Sequence, residues 1–419
     1  MSKVMNINPE KADHKPYAWV VVALLWGVAL LNYMDRQMLS TMKPAMQADI
    51  AELKSATNFG YLMSIFLWIY ALMSPVSGVI ADRINRKWLI VLSLFVWSGV
   101  TFTMGYAKTF EQLYWLRALM GVSEALYIPA ALSLIADYHS GKTRSLAIGI
   151  HMTGLYIGQA LGGFGATAAA RFSWQATFHD FGFVGILYAA VLIVFLKEKT
   201  DRKTALASPR HKSGPGLIQN LTSLLTNPAF WVILLVFAIP SLPGWAAKNW
   251  LPTLFSQNLN IPMAKAGPIS TITIALSSLV GVIAGGALSD WWVQRNIRAR
   301  VYTSAIGLSL TIPALLLLGF GHTLLTVIGA AICFGLGYGL FDANNMPLLC
   351  QFVSSGSRAA AYGLMNMIGV LCGALITGLL GKSSDSGNLG SSFAMLAGVV
   401  LVTLVIQFLF LKPKADEND

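Results

Sequence analysis

The chain has 419 residues, 55% of them hydrophobic and only 11% charged, and its mean hydropathy is +0.63, whereas soluble domains carry roughly 25% charged residues. Apolar runs of about 20 residues recur along its whole length, each long enough to cross a bilayer as a helix, so a soluble enzyme is excluded and an all-α membrane protein is expected. The formal charge of +11 would suit nucleic acid in a soluble protein, but membrane proteins collect Lys and Arg in their cytoplasmic loops.

The first 17 residues are polar, with neither an apolar core segment nor a small-residue cleavage site, so the first hydrophobic run is expected to be a retained span after a cytoplasmic tail. Hydrophobic windows between charged or Gly/Pro-marked breaks predict helices near residues 18–42, 57–80, 88–107, 111–136, 144–167 and 178–196. A polar stretch at 197–227 follows. Six more windows fall near 228–255, 267–290, 300–320, 323–352, 358–380 and 391–411, ahead of a short tail at 412–419. The expectation is twelve transmembrane helices in two six-helix bundles, 18–196 and 228–411, joined by a cytoplasmic linker. Counting Lys and Arg on alternate sides gives 20 on the side of both termini and 6 on the other, with Arg36, Arg117 and Lys248 inside spans. That bias places both termini in the cytoplasm and makes the basic excess topological, which removes nucleic acid as a partner.

The halves echo one another. GVIADRINRK (Gly78 to Lys87) aligns with GGALSDWWVQR (Gly285 to Arg295), matching Asp82 to Asp290. Gly121, Glu124 and Pro129 recur at the same intervals as Gly339, Asp342 and Pro347, and Arg144 and Gly149 as Arg358 and Gly363. Two parallel six-helix repeats are a transporter architecture, with the site near the midplane between the halves.

On these residues the sequence resembles the major facilitator superfamily over essentially its whole length. GVIADRINRK is similar to that family's loop motif Gly-x-x-x-Asp-Arg-x-x-Arg-Lys, and the resemblance implies a gating latch at the cytoplasmic side carried by Asp82, Arg83, Arg86 and Lys87. Within the superfamily, NYMDRQ (Asn32 to Gln37), RALMGVSEALYIPA (Arg117 to Ala130) and KNWLPTLF (Lys248 to Phe255) resemble the anion:cation symporters, which include sialin, hexuronate and galactonate carriers. The first two patterns also resemble the Spinster-like lysolipid carriers, as does LSLIADYH after the helix 4 proline.

Ionisable groups within spans cost roughly 2.5–3.5 kcal/mol each on insertion scales and face a cavity or a partner. Six qualify, Asp35, Arg36, Arg117, Glu124, Lys248 and Asp342, and their charges sum to zero. Asp35 and Arg36 are adjacent and diverge by about 100° on a helix, so each needs a partner elsewhere. Asp35 is a candidate proton carrier or the structural partner of an Arg on a neighbouring helix. Arg36 has the planar fork that binds a carboxylate bidentately. Arg117 and Glu124 are two turns apart on one helix face, with a rise of about 10 Å, and either exchange partners in a cavity or form an intrahelical pair. Asp342, grouped with Asp35, Glu124 and Arg117 as a candidate proton-coupling residue, opens the cluster DANN, whose Asn344 and Asn345 suit sugar hydroxyls, or else it partners a buried cation. Lys248 near the outer end of helix 7 either snorkels to the interface or attracts substrate.

Tyr33, Trp68 and Tyr70 are expected to face the cavity from helices 1 and 2. Gln159 and Asn366 are intramembrane amides that read hydroxyls or join helices. The family resemblance implies that Asp35 and Glu124 carry protons, that Arg117 is the cation coupled to Glu124, and that Arg36 with Tyr33 and Tyr70 holds the substrate anion.

No phosphate loop, nucleotide motif or metal-ligand spacing occurs, so no cofactor and no metal are expected, and transport must use an ion gradient or exchange. Cys333, Cys350 and Cys372 lie in apolar runs and read as packing residues. The resulting expectation is a monomeric proton symporter of a bacterial inner membrane, with a small anionic substrate and protons as its partners. The rivals are a Spinster-like lipid carrier and a membrane receptor that binds a sugar without moving it.

Overall fold

The computed structural model describes residues 15–139, 143–198, 224–353 and 357–411, apart from the side chains of Lys15, Asp82, Arg83 and Ala359. All regular structure among these residues is helical. The first half holds α1 (Lys15–Asp49), a 3-10 turn (Ala51–Lys54), α2 (Ala56–Arg83), α3 (Arg86–Met104), α4 (Phe110–Ala125), α5 (Tyr127–Tyr138), α6 (Arg144–Gly162), α7 (Gly165–Arg171) and α8 (Trp174–Phe195). The second holds α9 (Pro228–Leu259), α10 (Met263–Val293), α11 (Ala299–Phe320), α12 (Leu324–Asp342), α13 (Asn345–Phe352), α14 (Arg358–Asp385) and α15 (Leu389–Phe410). Most of the 197–227 stretch and both tails lie outside the described residues.

Among the described residues, eleven segments are long and apolar enough to cross a membrane, with α4–α5 and α12–α13 each forming one of them. The α6–α7 stretch is not among the eleven. It carries His151, Tyr156 and Gln159 on a glycine-rich helix, which lowers its hydropathy. Outward-facing side chains elsewhere are large and apolar, as with Phe95, Trp115, Val194, Leu325 and Met395, an arrangement that suits lipid and would be costly in water.

Three expected helices prove to be broken, two of them for the same reason. A proline cannot donate to the carbonyl four residues before it, and its ring crowds that carbonyl. Pro129 therefore ends α4 at Ala125, and Pro347 ends α12 at Asp342, one residue before its own fourth-back position. Glu124 and Asp342 thus sit at the last turn before a break. The α6–α7 break has no proline and falls at the pair Gly162–Gly163, a recognised cause of kinks. Helix starts are capped by sequence-legible residues: Ser55, Asn85, Thr109, Ser173, Asn227 and Thr323 each accept from a backbone N–H of the first turn.

Within the first half, α1 lies along α6, α2 along α4 and α3 along α8; within the second, α10 and α11 flank α12, and α9 lies along α14. The halves meet mainly where α2 packs on α14 and α6 on α10. The α1–α6 seam shows how small residues set the spacing. Gly154 and Gly162 lie two turns apart, and a Cβ on either would stand 2.8 Å from Trp26 O or 2.7 Å from Met34 O; Gly158 between them faces Leu30 O at still shorter range. Backbones approach this closely only on small-residue faces. Gly158→Leu is accordingly expected to destabilise the protein by about 1–3 kcal/mol through overpacking, read as a lowered unfolding midpoint in detergent, with Gly149→Leu, at an open position, as the control that leaves it unchanged.

Candidate functional site

The charged residues of the first half converge on the middle of α1, α2 and α4. Arg36 Nε donates to Glu124 Oε2 at 2.6 Å, and the Glu124 side chain is wholly buried. The Arg36 guanidinium also stands 5.0, 4.7 and 4.7 Å from the rings of Tyr33, Phe66 and Tyr70, whose faces attract a cation. The Arg117 guanidinium also stands against Phe66, 4.6 Å from that ring. One phenyl group is thus shared by two guanidinium groups. Arg117 Nη1 approaches Met120 Sδ at 3.0 Å, and its Nε has no hydrogen-bond partner.

Of the two readings of Arg117 and Glu124, this geometry removes the intrahelical pair. Glu124 is held by Arg36 of α1, not by Arg117 of its own helix. A separation of seven residues spans about 10 Å of rise, and the long Arg36 side chain reaching across from α1 supplies a nearer cation. Asp35 differs as well: its partner is a hydroxyl, Thr101 Oγ1 of α3 donating to Oδ2 at 3.3 Å, and among the described residues no cation lies within ion-pair distance of it.

A cavity of about 100 Å3 lies between the halves, lined by α1, α6, α9, α10 and α12. Tyr33 forms part of its wall and links it to Arg36. Opposite stand Lys248 and Asp342, with Tyr156, Gln159 and Tyr338 completing its polar lining together with Ser278. Lys248 is therefore inside the molecule and does not snorkel. Its Nζ lies 4.7 Å from the Trp245 ring, and its carbonyl accepts from Gln37 Nε2 of α1 at 2.9 Å, a bond that joins the halves beside the cavity. Lys248 and Asp342 share the cavity without a direct ion pair among the described residues. Gly244 leaves room for the Tyr338 hydroxyl, since a Cβ there would collide with it.

The remaining candidates scatter. Trp68 is 39% exposed on the outer side of α2: two residues from Phe66 and from Tyr70 is about 200° around a helix, so it cannot share their face. Asn345 Nδ2 donates to Asp342 Oδ1 at 3.0 Å, whereas Asn344 is fully buried and donates to Leu340 O. Asn366 Nδ2 donates to Ser74 Oγ at 3.1 Å across the α2–α14 seam and joins helices. Of the loop motif, Asp82 and Arg83 lie outside the described side chains. Arg86 pairs with Asp137 and donates to Ser133 O of α5, while Lys87 N donates to Glu198 and Lys87 Nζ to Ile193 O. Arg86 binds within the first half, and Lys87 binds the last helix of that half and the start of the 197–227 stretch.

Sequence reasoning overlooked Gln37, Tyr156 and Tyr338. A signal existed for each tyrosine, because Tyr156 precedes Gln159 by three residues and Tyr338 precedes Asp342 by four, the spacings that share a helix face. Among the described residues no group of three or more His, Cys, Asp or Glu is placed to hold a metal.

A helical membrane protein whose buried charges gather beside a cavity between two packed halves is a transporter by architecture. Residues 25–377 match the sequence profile of the Major Facilitator Superfamily, and the chain belongs to that family. It is 24% identical over 402 residues to a hexuronate transporter of Bacillus subtilis (strain 168), covering 94% of each chain. It is also 24% identical over 397 residues to a probable galactarate/D-glucarate transporter of Escherichia coli (strain K12), covering 87% of this chain and 88% of that one. Its fold is similar to a bacterial homologue of the human lysosomal transporter Spinster in an inward-facing conformation, with a TM-score of 0.79, 21% identity, and coverage of 96% of this chain and 99% of that one.

Because Arg36 and Glu124 are buried together, removing one leaves the other uncompensated. Glu124→Leu is expected to lower stability by about 3–5 kcal/mol, and Arg36→Met/Glu124→Leu by less than Glu124→Leu alone. Unfolding midpoints of the single and double variants in detergent check the coupling.

Proposed function

We propose that this chain is a proton-coupled symporter that imports a small organic or sugar-acid anion by alternating access. The observation that carries the reading is the Arg36–Glu124 pair set among three rings, beside a cavity that both halves line. A substrate carboxylate entering past Tyr33 competes with Glu124 for the Arg36 fork. Glu124, released from its cation in a low-dielectric site, takes a proton, so anion binding and proton uptake occur together. Arg117, against the same phenyl ring as Arg36, favours the return of Glu124 to its charged form when the substrate leaves. Asp35, on the hydroxyl of Thr101, is the second proton carrier.

The second half supplies selection. Lys248 offers a further positive charge, while Asp342 accepts hydrogen bonds from hydroxyls, with Tyr156, Gln159 and Tyr338 as neutral partners. A polyhydroxylated acid satisfies this wall better than a simple aliphatic anion. Relatives that carry hexuronate or act on galactarate and glucarate support a sugar acid. The Spinster-like neighbour supports a lipid only through its fold, and a small cavity with two opposite charges on its wall favours a compact polar solute.

The topology follows the same reading. The α6–α7 stretch is the remaining span, giving twelve in two bundles, 18–196 and 228–411, around the 197–227 linker, with both termini cytoplasmic in a bacterial inner membrane and the chain acting as a monomer. The Asp82, Arg83, Arg86 and Lys87 motif acts as the gating latch of the cytoplasmic side.

Reconstituted into liposomes, the protein should accumulate a sugar acid such as glucuronate or galactarate against its gradient when the outside is acidified. Glu124→Gln should abolish accumulation while leaving substrate exchange, which needs no net proton release. Arg36→Ala should abolish binding, and Arg36→Lys should bind poorly, because an ammonium lacks the bidentate fork. Normal uphill accumulation by Glu124→Gln would remove that residue from coupling, and a thermal-shift response to lysolipids with none to sugar acids would replace the substrate class.

A further inference from the structure

The first turn of α2 receives the last residue of α14. Asp385 Oδ1 accepts from the backbone N–H of Ala56 at 2.6 Å. Its Oδ2 accepts from Thr57 N at 2.8 Å, from Thr57 Oγ1 at 2.7 Å and from Ser55 Oγ at 2.8 Å. Ser55 in turn accepts from Asn58 N at 3.3 Å. The first three backbone donors of α2, which a helix cannot satisfy internally, are thus all taken, two of them by a residue 329 or 328 positions away in the other half.

The placement is unfavourable for α14 itself, since an acid at a helix C-terminus opposes the negative end of its macrodipole, whereas the positive end of α2 attracts it. The contact around it is close. A Cβ on Gly381 would stand 2.6 Å from Ala56 O, and one on Gly60 3.0 Å from Thr377 O. The seam continues at this end through Thr167 Oγ1, which donates to Ala264 O at 2.8 Å, and Thr271 Oγ1, which donates to Ala160 O at 3.0 Å.

We propose that Asp385 is an interhalf latch whose carboxylate caps α2 across the seam and holds this end of the transporter closed. The proposal rests on the alternating-access reading, in which the two halves part at one end and then at the other. Parting here strips Asp385 from four donors at once and uncaps α2. The bonds lie mostly at the exposed edge of the seam, so water can replace them and the latch is reversible. This device is distinct from the loop motif that ends α2, whose described members Arg86 and Lys87 bind α5, α8 and Glu198 at the start of the linker.

The test uses spin labels at Glu52→Cys and Lys382→Cys, exposed positions on either side of the seam, in a chain whose Cys333, Cys350 and Cys372 are replaced by Ala. Pulsed electron resonance gives the populations of short and long distances. Asp385→Ala should raise the long-distance population by about 2- to 30-fold, the equilibrium equivalent of the roughly 0.5–2 kcal/mol that one N-cap contributes. Ser55→Ala/Thr57→Val, which removes the two hydroxyl donors and keeps both peptide donors, should give a smaller rise in the same direction. An unchanged distance distribution in Asp385→Ala, accompanied only by a lower melting point, makes the residue a plain structural cap and overturns the proposal. If Asp385→Ala does not fold, the hydroxyl variant decides by the same criterion. Liposomes in which the parent protein moves no solute would sink the transport reading, while the distance populations continue to report on the latch.

Discussion

A charge cannot stand alone in the middle of a helix bundle, and the pairing of Arg36 with Glu124 is the constraint to which the first half is fitted. The pair ties α1 to α4 through two long side chains. The Phe66 backbone lies against Gly121, where any side chain would intrude, and so sets α2 close beside α4, and the ring of Phe66 is shared by the guanidinium groups of Arg36 and Arg117. Pro129 ends α4 directly after the carboxylate. Helix packing, aromatic placement and chain breaks therefore serve one ion pair, whose low-dielectric surroundings make it strong when complete and costly when halved.

The second half repeats the framework without repeating the chemistry. Gly339, Asp342 and Pro347 occupy the places of Gly121, Glu124 and Pro129, and Gly339 lies against the α10 backbone as Gly121 lies against α2. Yet among the described residues no arginine forms an ion pair with Asp342. It lines the cavity instead, together with Lys248. The repeat thus preserves what backbone sterics dictate, the small residue and the broken helix, and leaves the partner of the carboxylate free to diverge. Under the proposed mechanism the first half carries the protons and the anion, and the second reads the rest of the solute.

Several of the contacts between the halves are polar. Gln37 on Lys248 O and Asn366 on Ser74 lie within the seam, and Asp385 on α2 lies at its end. These are hydrogen bonds to backbone or hydroxyl groups, which water can replace as the halves part. Apolar contact crosses the seam as well, where Phe59 of α2 meets Trp250 of α9 edge to face with ring centroids 6.5 Å apart.

The sequence by itself determined the elements. Apolar run length, the polar stretch at the midpoint, the caps and the internal repeat are local properties, and helices satisfy their own backbone hydrogen bonds wherever they lie in a membrane. It also determined which residues are out of place in lipid, because the cost of a buried charge depends on the residue type and its depth. Only the tertiary structure decided who partners whom. Glu124 chose Arg36, 88 positions away in sequence, over Arg117 on its own helix; Asp35 took a hydroxyl of α3; Trp68 turned outward while Phe66 and Tyr70 turned in; and Lys248 joined Asp342 at the cavity. Each of those outcomes depends on the rotation and distance of one helix relative to another, and these are set by the packing of many side chains at once.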